Sequence, residues 1–241
     1  MTYTIEQRLM SGLPNMALTA IKYVIAHESS NENNYGPDAL ENEIKYMNLN
    51  KANAFTSHWV GGGGRIVQVA PVNKVQYGCG PKGNPLSYAQ VELARTNNKE
   101  QFKKDYASYI WILRKLAKDA GISVVLDSIG NGIKSHRWIT DNLGGTTHRD
   151  PYSYLLSMGI SEAQFKQDIL NGIYEQTPQP EQDDDIMKFT NDAPKAAVRE
   201  YLKQSVDKKL IDKSWLDKFD NGTMTSGDFE GLKIIIAQRS S

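Results

Sequence analysis

The run from residue 99 to residue 119 leaves the chain least freedom. Its apolar positions Phe102, Tyr106, Tyr109, Leu113 and Leu116 recur at steps of four and three, which puts them on one face of a long helix. Gly121 follows where a carboxyl-terminal cap belongs, because glycine accepts the left-handed backbone that such a cap uses. A helix with one apolar face has to be covered by another layer. Residues 21–26 (IKYVIA), 55–60 (FTSHWV), 65–70 (RIVQVA), 88–94 (YAQVELA) and 122–126 (ISVVL) supply it, being short, rich in β-branched and aromatic residues and bounded by loop residues, as strands are. Strands alternating with helices predict an α/β fold, a central mixed sheet flanked by helices.

Between these runs, residues 37–46 read as a helix with Pro37 in its first turn and Leu40, Ile44 and Met47 on one face. Residues 133–143 read as helical up to the turn at Gly144-Gly145, and Ser161 with Gln164 forms a capping box that opens a helix to about residue 174. Residues 55–60 and 65–70 flank Gly61 to Gly64 as a hairpin. The four glycines are not a phosphate loop, because a strand rather than a helix follows them. The composition then breaks at residues 177–185 (TPQPEQDDD), where prolines, glutamines and like charges cannot build a core and make a linker. The domains expected are therefore 1–176, a linker at 177–185, and a small helical carboxyl-terminal module at 186–241. In the module, residues 193–203 and 228–237 have helical spacing, and 215–225 reads as a turn-rich connection. Two helices in about fifty residues bury little apolar area, so a module of this kind self-associates or docks elsewhere.

Chemistry gathers in residues 135–151, SHRWITDNLGGTTHRDP. Two histidines and an aspartate around a glycine turn are the residue types that bind a hydrolytic zinc ion when another ligand arrives from elsewhere. His27 is the candidate for that ligand, since it closes the strand-like run 21–26 and ligand sites of open α/β sheets lie at strand ends. The blocks YVIAHESS, FTSHWV with RIVQVAP, NPLSYAQVELA and SHRWITDNLGGTTHRDPYSYL resemble, in that order, the zinc-dependent N-acetylmuramoyl-L-alanine amidases. The likeness is to the subgroup of staphylococcal autolysins and lysins of phages of Gram-positive hosts, and it covers roughly residues 20–175.

That resemblance implies a ligand set of His27, His136 and Asp150, with Asp150 in the place where many relatives carry a cysteine. The spacing of His136 and Asp150, fourteen positions (150 − 136), is that of the autolysin-like subgroup. His148 in place of His136 is the other assignment open. Two histidines and one carboxylate leave a coordination position free for water, as in catalytic rather than structural zinc sites. Glu92 matches the family's strand glutamate and is implied as general base; His148 matches the position facing the scissile carbonyl; His58 matches the groove wall, as substrate contact or as support for it. The implied reaction is hydrolysis of the bond between N-acetylmuramic acid and L-alanine in bacterial peptidoglycan, with Zn2+ as cofactor.

A balance of 28 basic and 28 acidic residues gives no field recommending nucleic acid or an anionic membrane as partner. No apolar run reaches a membrane span, and residues 1–8 form a polar lead without signal-peptide character. The expectation is a phage endolysin made in the host cytoplasm, released to the cell wall, and self-associating or wall-binding through residues 186–241. Internal initiation at Met187 would add the module as a separate subunit. A host or prophage autolysin and a non-catalytic peptidoglycan-binding module are the alternatives. A cysteine hydrolase built on Cys79 is disfavoured because Tyr77-Gly78-Cys79-Gly80 lacks the helix start that activates a thiol.

Overall fold

The structure is a computed structural model and describes residues 3–173, 187, 189 and 191–240. The chain divides into two compact units, Met1–Glu175 and Gln176–Ser241. The expected linker at 177–185 lies outside the described residues.

In the first unit the strands β1 (Ile5–Gln7), β2 (Tyr23–Ala26), β3 (His58–Gly61), β4 (Arg65–Gln68), β5 (Ser87–Leu93) and β6 (Gly132–Ser135) form one sheet in the order β1-β4-β3-β5-β2-β6. Only β3 and β4 run antiparallel, as the hairpin around the glycines; the other pairings are parallel. Every residue of β2 is buried, as expected of a parallel strand covered on both faces. The helices are α1 (Ala39–Asn50), the single turn α2 (Gly80–Gly83), α3 (Lys99–Asp119), α4 (His136–Asn142), α5 (Tyr152–Ser157) and α6 (Glu162–Asn171).

Helix α3 covers one face of the sheet. Its stripe of Phe102, Tyr106, Tyr109, Leu113 and Leu116 packs with Val24 and Ala26 of β2, Val60 of β3 and Ala89, Val91 and Leu93 of β5. Asn98 starts the helix by accepting from the amides of Glu100 and Gln101 at 3.0 Å each, which satisfies donors that have no partner inside the helix. On the other face, α1 sets Leu40, Ile44 and Met47 against Trp59 and Val67, and Tyr23 and Ile25 pack with Cys79 and Ile139. Side chains alternate along a strand, so the face that carries Tyr23 and Ile25 also carries the residue after β2, His27.

The glycine loop is held by α3. Asp105 Oδ1 accepts from the amides of Gly63 (2.8 Å) and Gly64 (2.5 Å), and Ser108 Oγ donates to Gly64 O at 2.7 Å. The amides that a phosphate would need are thus spent on a carboxylate of the chain itself. Burial pushes the Asp105 carboxyl up to about 6 against the opposing pull of Gly64, Gln101 and Gly63. Asp105→Ala is expected to cost about 1–3 kcal/mol by leaving both amides unpaired, and so to lower the melting temperature by roughly 2–12 °C in a thermal melt. Asp105→Asn keeps an acceptor oxygen and should cost less than half as much.

Several sequence expectations need correction. Residues 1–8 contain β1, an edge strand beside β4 whose one inward apolar side chain, Ile5, gives no readable alternation; Glu6 faces outward to Arg65 at 2.8 Å. Helix α1 starts two residues after Pro37 and runs to Asn50. Residues 122–126 make one isolated bridge, Leu126 to Ile133, rather than a strand. Residues 133–135, expected as helix, belong to β6 and pair with Val24 to Ala26; three residues are too few to separate a two-residue period from a 3.6-residue one. Ser135 then turns the strand into α4 without a loop, its side chain accepting from the Trp138 amide at 3.0 Å.

The second unit holds α7 (Asp192–Asp207), α8 (Lys213–Asp220) and α9 (Ser226–Arg239). The turn-rich connection expected at 215–225 is mostly the helix α8, capped by Asp212, which accepts from the Ser214 amide at 2.8 Å. Its Lys, Ser and Asp residues read as a turn, but Trp215, Leu216 and Phe219 share one face and close a core of Leu202, Ile211, Phe219, Met224, Leu232 and Ile236. Thr225 and Asp228 form a reciprocal capping box at the start of α9. Of the three consecutive isoleucines Ile236 is in the core, whereas Ile234 and Ile235 remain exposed, by 62% and 38%. Among the described residues no helix is long and apolar enough to cross a membrane.

Candidate metal centre

Two parallel neighbours in the sheet bring the histidines together. Ala26 of β2 is in register with Ser135 of β6, so the residues that follow, His27 and His136, emerge side by side at the same end of the sheet. His27 continues the β2 pairing, its N–H donating to Val91 O at 2.8 Å and its carbonyl accepting from Leu93 N at 3.2 Å. Tyr109 OH of α3 donates to the same carbonyl at 2.7 Å. Glu92, between Val91 and Leu93, therefore stands next to His27 on the same face. Asp150 returns to this point after α4: Gly144 and Gly145 reverse the chain in left-handed conformations, with φ of 69° and 81°. Thr140 Oγ1 then ties the returning segment to α4 by donating to His148 O at 2.6 Å.

The result is a buried cluster. Ligand atoms of His27, His136 and Asp150 all lie within 4.8 Å of one another, and no other group of this kind occurs among the described residues. His27 Nδ1 is 3.1 Å from Asp150 Oδ2, and His136 Nδ1 is 3.1 Å from Asp150 Oδ1. The outer nitrogens are occupied: His27 Nε2 lies 3.1 Å from Gln90 Oε1, and His136 Nε2 lies 2.9 Å from Thr146 Oγ1. Although His136 Nδ1 is close, Asp150 Oδ1 receives no hydrogen bond of acceptable geometry. A buried carboxylate oxygen short of a donor, faced by two imidazole nitrogens, fits a bound cation. Each histidine also has an oxygen partner on its far nitrogen, as metal-binding histidines do. Burial acts to raise the Asp150 pKa, but the contacts and charges of His136 and His27 outweigh it and hold the carboxyl below its usual range.

Glu92 lines the same cleft, and its Oε2 is buried with no partner. Burial first and the Asp150 charge second push its pKa well above that of an ordinary carboxyl. Displaced pKa values without a structural counter-ion mark groups that handle protons. His148 is 63% exposed at the cleft mouth; its ring stacks on His136 with centroids 5.0 Å apart, and its Nδ1 stays 4.0 Å from Asp150. His136, not His148, therefore sits in the buried cluster.

His58 is placed elsewhere. It is buried in β3 with Nδ1 2.9 Å from Ser57 Oγ, and its register partner is Val91, whose side chain belongs to the α3 layer. It does not line the cleft, and burial lowers its pKa to about 4. Expected as a substrate contact or as support for one, His58 is placed by strand alternation on the α3 face of the sheet. Cys79 is fully buried, and burial pushes its thiol up to about 12, which leaves no thiolate for nucleophilic chemistry.

The cleft has a volume of about 1220 Å³. Away from the histidines its wall sets the apolar side chains of Met47, Phe55, Val75 and Pro81 beside the polar ones of Asn53 and Thr56. Glu28 also faces it, locked by Arg95 through bonds of 2.6 and 2.9 Å. Gln90, Thr146, Glu28 and Arg95 escaped the sequence reading. Gln90 had one usable signal, its place two residues before Glu92 on the same strand face.

The profile of the family described as N-acetylmuramoyl-L-alanine amidase matches residues 17–153. The endolysin of Listeria phage A511 is 53% identical over 171 residues, 69% of this chain and 49% of that protein. The lytic amidase of Streptococcus pneumoniae phage HB-3 is 41% identical over 173 residues, 70% of this chain and 53% of that protein. The chain thus spans about half the length of each of these relatives. Among solved structures, the Staphylococcus aureus hydrolase AmiA in complex with its ligand superposes with a TM-score of 0.64 at 26% identity, over 70% of this chain and 83% of that one. The catalytic domain of XlyA shares the fold, with a TM-score of 0.52 at 18% identity over 69% of this chain and 99% of that one.

Proposed function

The chain belongs to the N-acetylmuramoyl-L-alanine amidase family, and on that premise we propose that it is a peptidoglycan hydrolase. It cleaves the amide between N-acetylmuramic acid and the L-alanine of the stem peptide, in phage-mediated lysis of a Gram-positive host. The observation that carries this reading is the convergence of His27, His136 and Asp150, with an unsatisfied Asp150 Oδ1, in a cleft shared with the unpartnered Glu92 Oε2. The likeness to the two phage lytic proteins supports the biological setting.

His27, His136 and Asp150 would hold the zinc ion, a two-histidine, one-carboxylate donor set of the kind found in catalytic zinc sites. When bound, zinc supplies a Lewis acid that lowers the pKa of water from 15.7 to roughly 7. Glu92 takes the proton from the attacking water and passes it to the departing amine of L-alanine. A carboxyl whose charged form is disfavoured by burial accepts that proton readily. His148 donates to the scissile carbonyl oxygen as charge develops there, a contribution of about 3 kcal/mol for such a donor. The apolar side chains of Met47, Phe55 and Val75 pack the uncharged parts of the substrate and exclude water.

Digestion of purified cell walls tests the reaction. New amino-terminal alanine should appear without new reducing sugar ends; reducing ends alone would mark a glycosidase and overturn the proposal.

Residues 186–241 serve as a wall-targeting module, which fits the exposed Ile234 and Ile235 of α9 and the small core of the unit. Sites repeated by self-association would gain apparent affinity through effective concentration. Residues 1–176 expressed alone should bind walls at least about tenfold more weakly than the full chain. A fragment 186–241 that is monomeric by light scattering and leaves walls unbound would remove this role.

A further inference from the structure

Hydrogen-bond donors that cannot change roles fix the direction of every bond from the α2 turn to His27. The backbone amide of Cys79 can only donate, and it lies 2.8 Å from the Asn84 side-chain atom assigned as Oδ1. That atom is therefore an acceptor. It also lies 3.3 Å from Gln90 Nε2, and the second neighbour of Nε2, at 3.5 Å, is the carbonyl oxygen of Gln76. With acceptors on both sides, this end of the Gln90 amide must be the NH2. Its oxygen is then the atom 3.1 Å from His27 Nε2, and an oxygen there requires a proton on Nε2. Gln90 has no room to reorient: it is fully buried, and a Cβ on Gly78 would collide with its Oε1.

We propose that Gln90 is the positioning residue of the metal centre: the chain Cys79 N–H to Asn84 to Gln90 holds the His27 proton on Nε2 and so presents Nδ1, bare, to Asp150 and the cation. The inference rests on the zinc reading of the site. It also accounts for a local conflict. With the proton on Nε2, His27 Nδ1 meets Asp150 Oδ2 at 3.1 Å as one lone pair against another, an arrangement that a cation between them resolves. Gln90 touches neither the substrate-facing side of the cluster nor the open end of the cleft; it does not line the cleft at all. Its effect on the reaction therefore passes through His27.

Two measurements on the full chain test this. In the zinc-loaded protein with labelled histidine, nuclear magnetic resonance should show His27 bound through Nδ1 with a proton on Nε2. Coordination through Nε2 would overturn the proposal without any substitution being made. Gln90→Met keeps the length of the side chain and removes the acceptor. Its zinc dissociation constant, measured by competition with a chromophoric chelator, should rise by roughly 10- to 100-fold. The melting temperature should fall more in the zinc-loaded than in the chelated protein, a narrowing that a merely structural defect, acting equally on both, does not produce. Zinc affinity within about threefold of the parent, with the His27 signature unchanged, would overturn the role of Gln90 and leave the metal centre standing. A parent protein that binds no zinc would overturn both.

Discussion

Chelation is expected to take wall lysis to background and to lower the melting temperature, with zinc restoring both. Three buried ligand groups converge and Asp150 Oδ1 among them has no hydrogen bond, so a metal that binds the native state adds its binding energy to stability. At a free concentration one hundred times its dissociation constant the gain is about 2.7 kcal/mol, or roughly 5–11 °C in melting temperature for a domain of this size. His27→Ala, His136→Ala and Asp150→Ala should each lose the metal and the activity together. Metal analysis by mass spectrometry beside a turbidity assay reads both. Full activity in a preparation shown to be metal-free would end the mechanism proposed above.

Glu92→Gln should separate chemistry from binding. The amide keeps the shape of the carboxyl and cannot take the proton, so turnover should fall by roughly 10²- to 10⁴-fold with zinc content and wall binding intact. Stability should hardly change, because the buried Glu92 Oε2 has no partner to lose. Retained activity would move the base elsewhere, and loss of the metal would make Glu92 a ligand. His148→Ala, exposed at the cleft mouth, should also keep the metal while losing activity. The reverse pattern, with His136→Ala keeping zinc and His148→Ala losing it, would exchange the two histidines.

What could be read from the sequence followed from how periodicity works. Helix α3 is legible over the span Lys99–Asp119 because the five apolar positions from Phe102 to Leu116 repeat over about four turns. Strand β6 was not, because three or four residues carry no period, and its membership of the sheet depends on β2 across a long gap in the chain. Strand β1 and helix α8 failed for a related reason: their partners, not their own residues, decide them. The candidate ligands came from a family pattern, which names residues without stating where they meet. His58 illustrates this, since its place on the α3 side of the sheet depends on the strand register rather than on the motif. Gln90 was invisible because a neutral amide on a strand has no chemical signal until its neighbours are known.

His27 and His136 stand at the ends of adjacent parallel strands, yet 109 positions (136 − 27) separate them in the chain. Parallel pairing across such a distance closes a large loop and is slow to form. A nascent chain contains the whole ligand set only once it extends past Asp150, and a chain stopped before residue 136 holds only one of its three members. On the proposed reading, metal binding by the full set thus waits for β2 and β6 to pair. Under that same reading of the site, the order of strands itself keeps a chain truncated before Asp150, or one in which β2 and β6 have not yet paired, from assembling the ligand set.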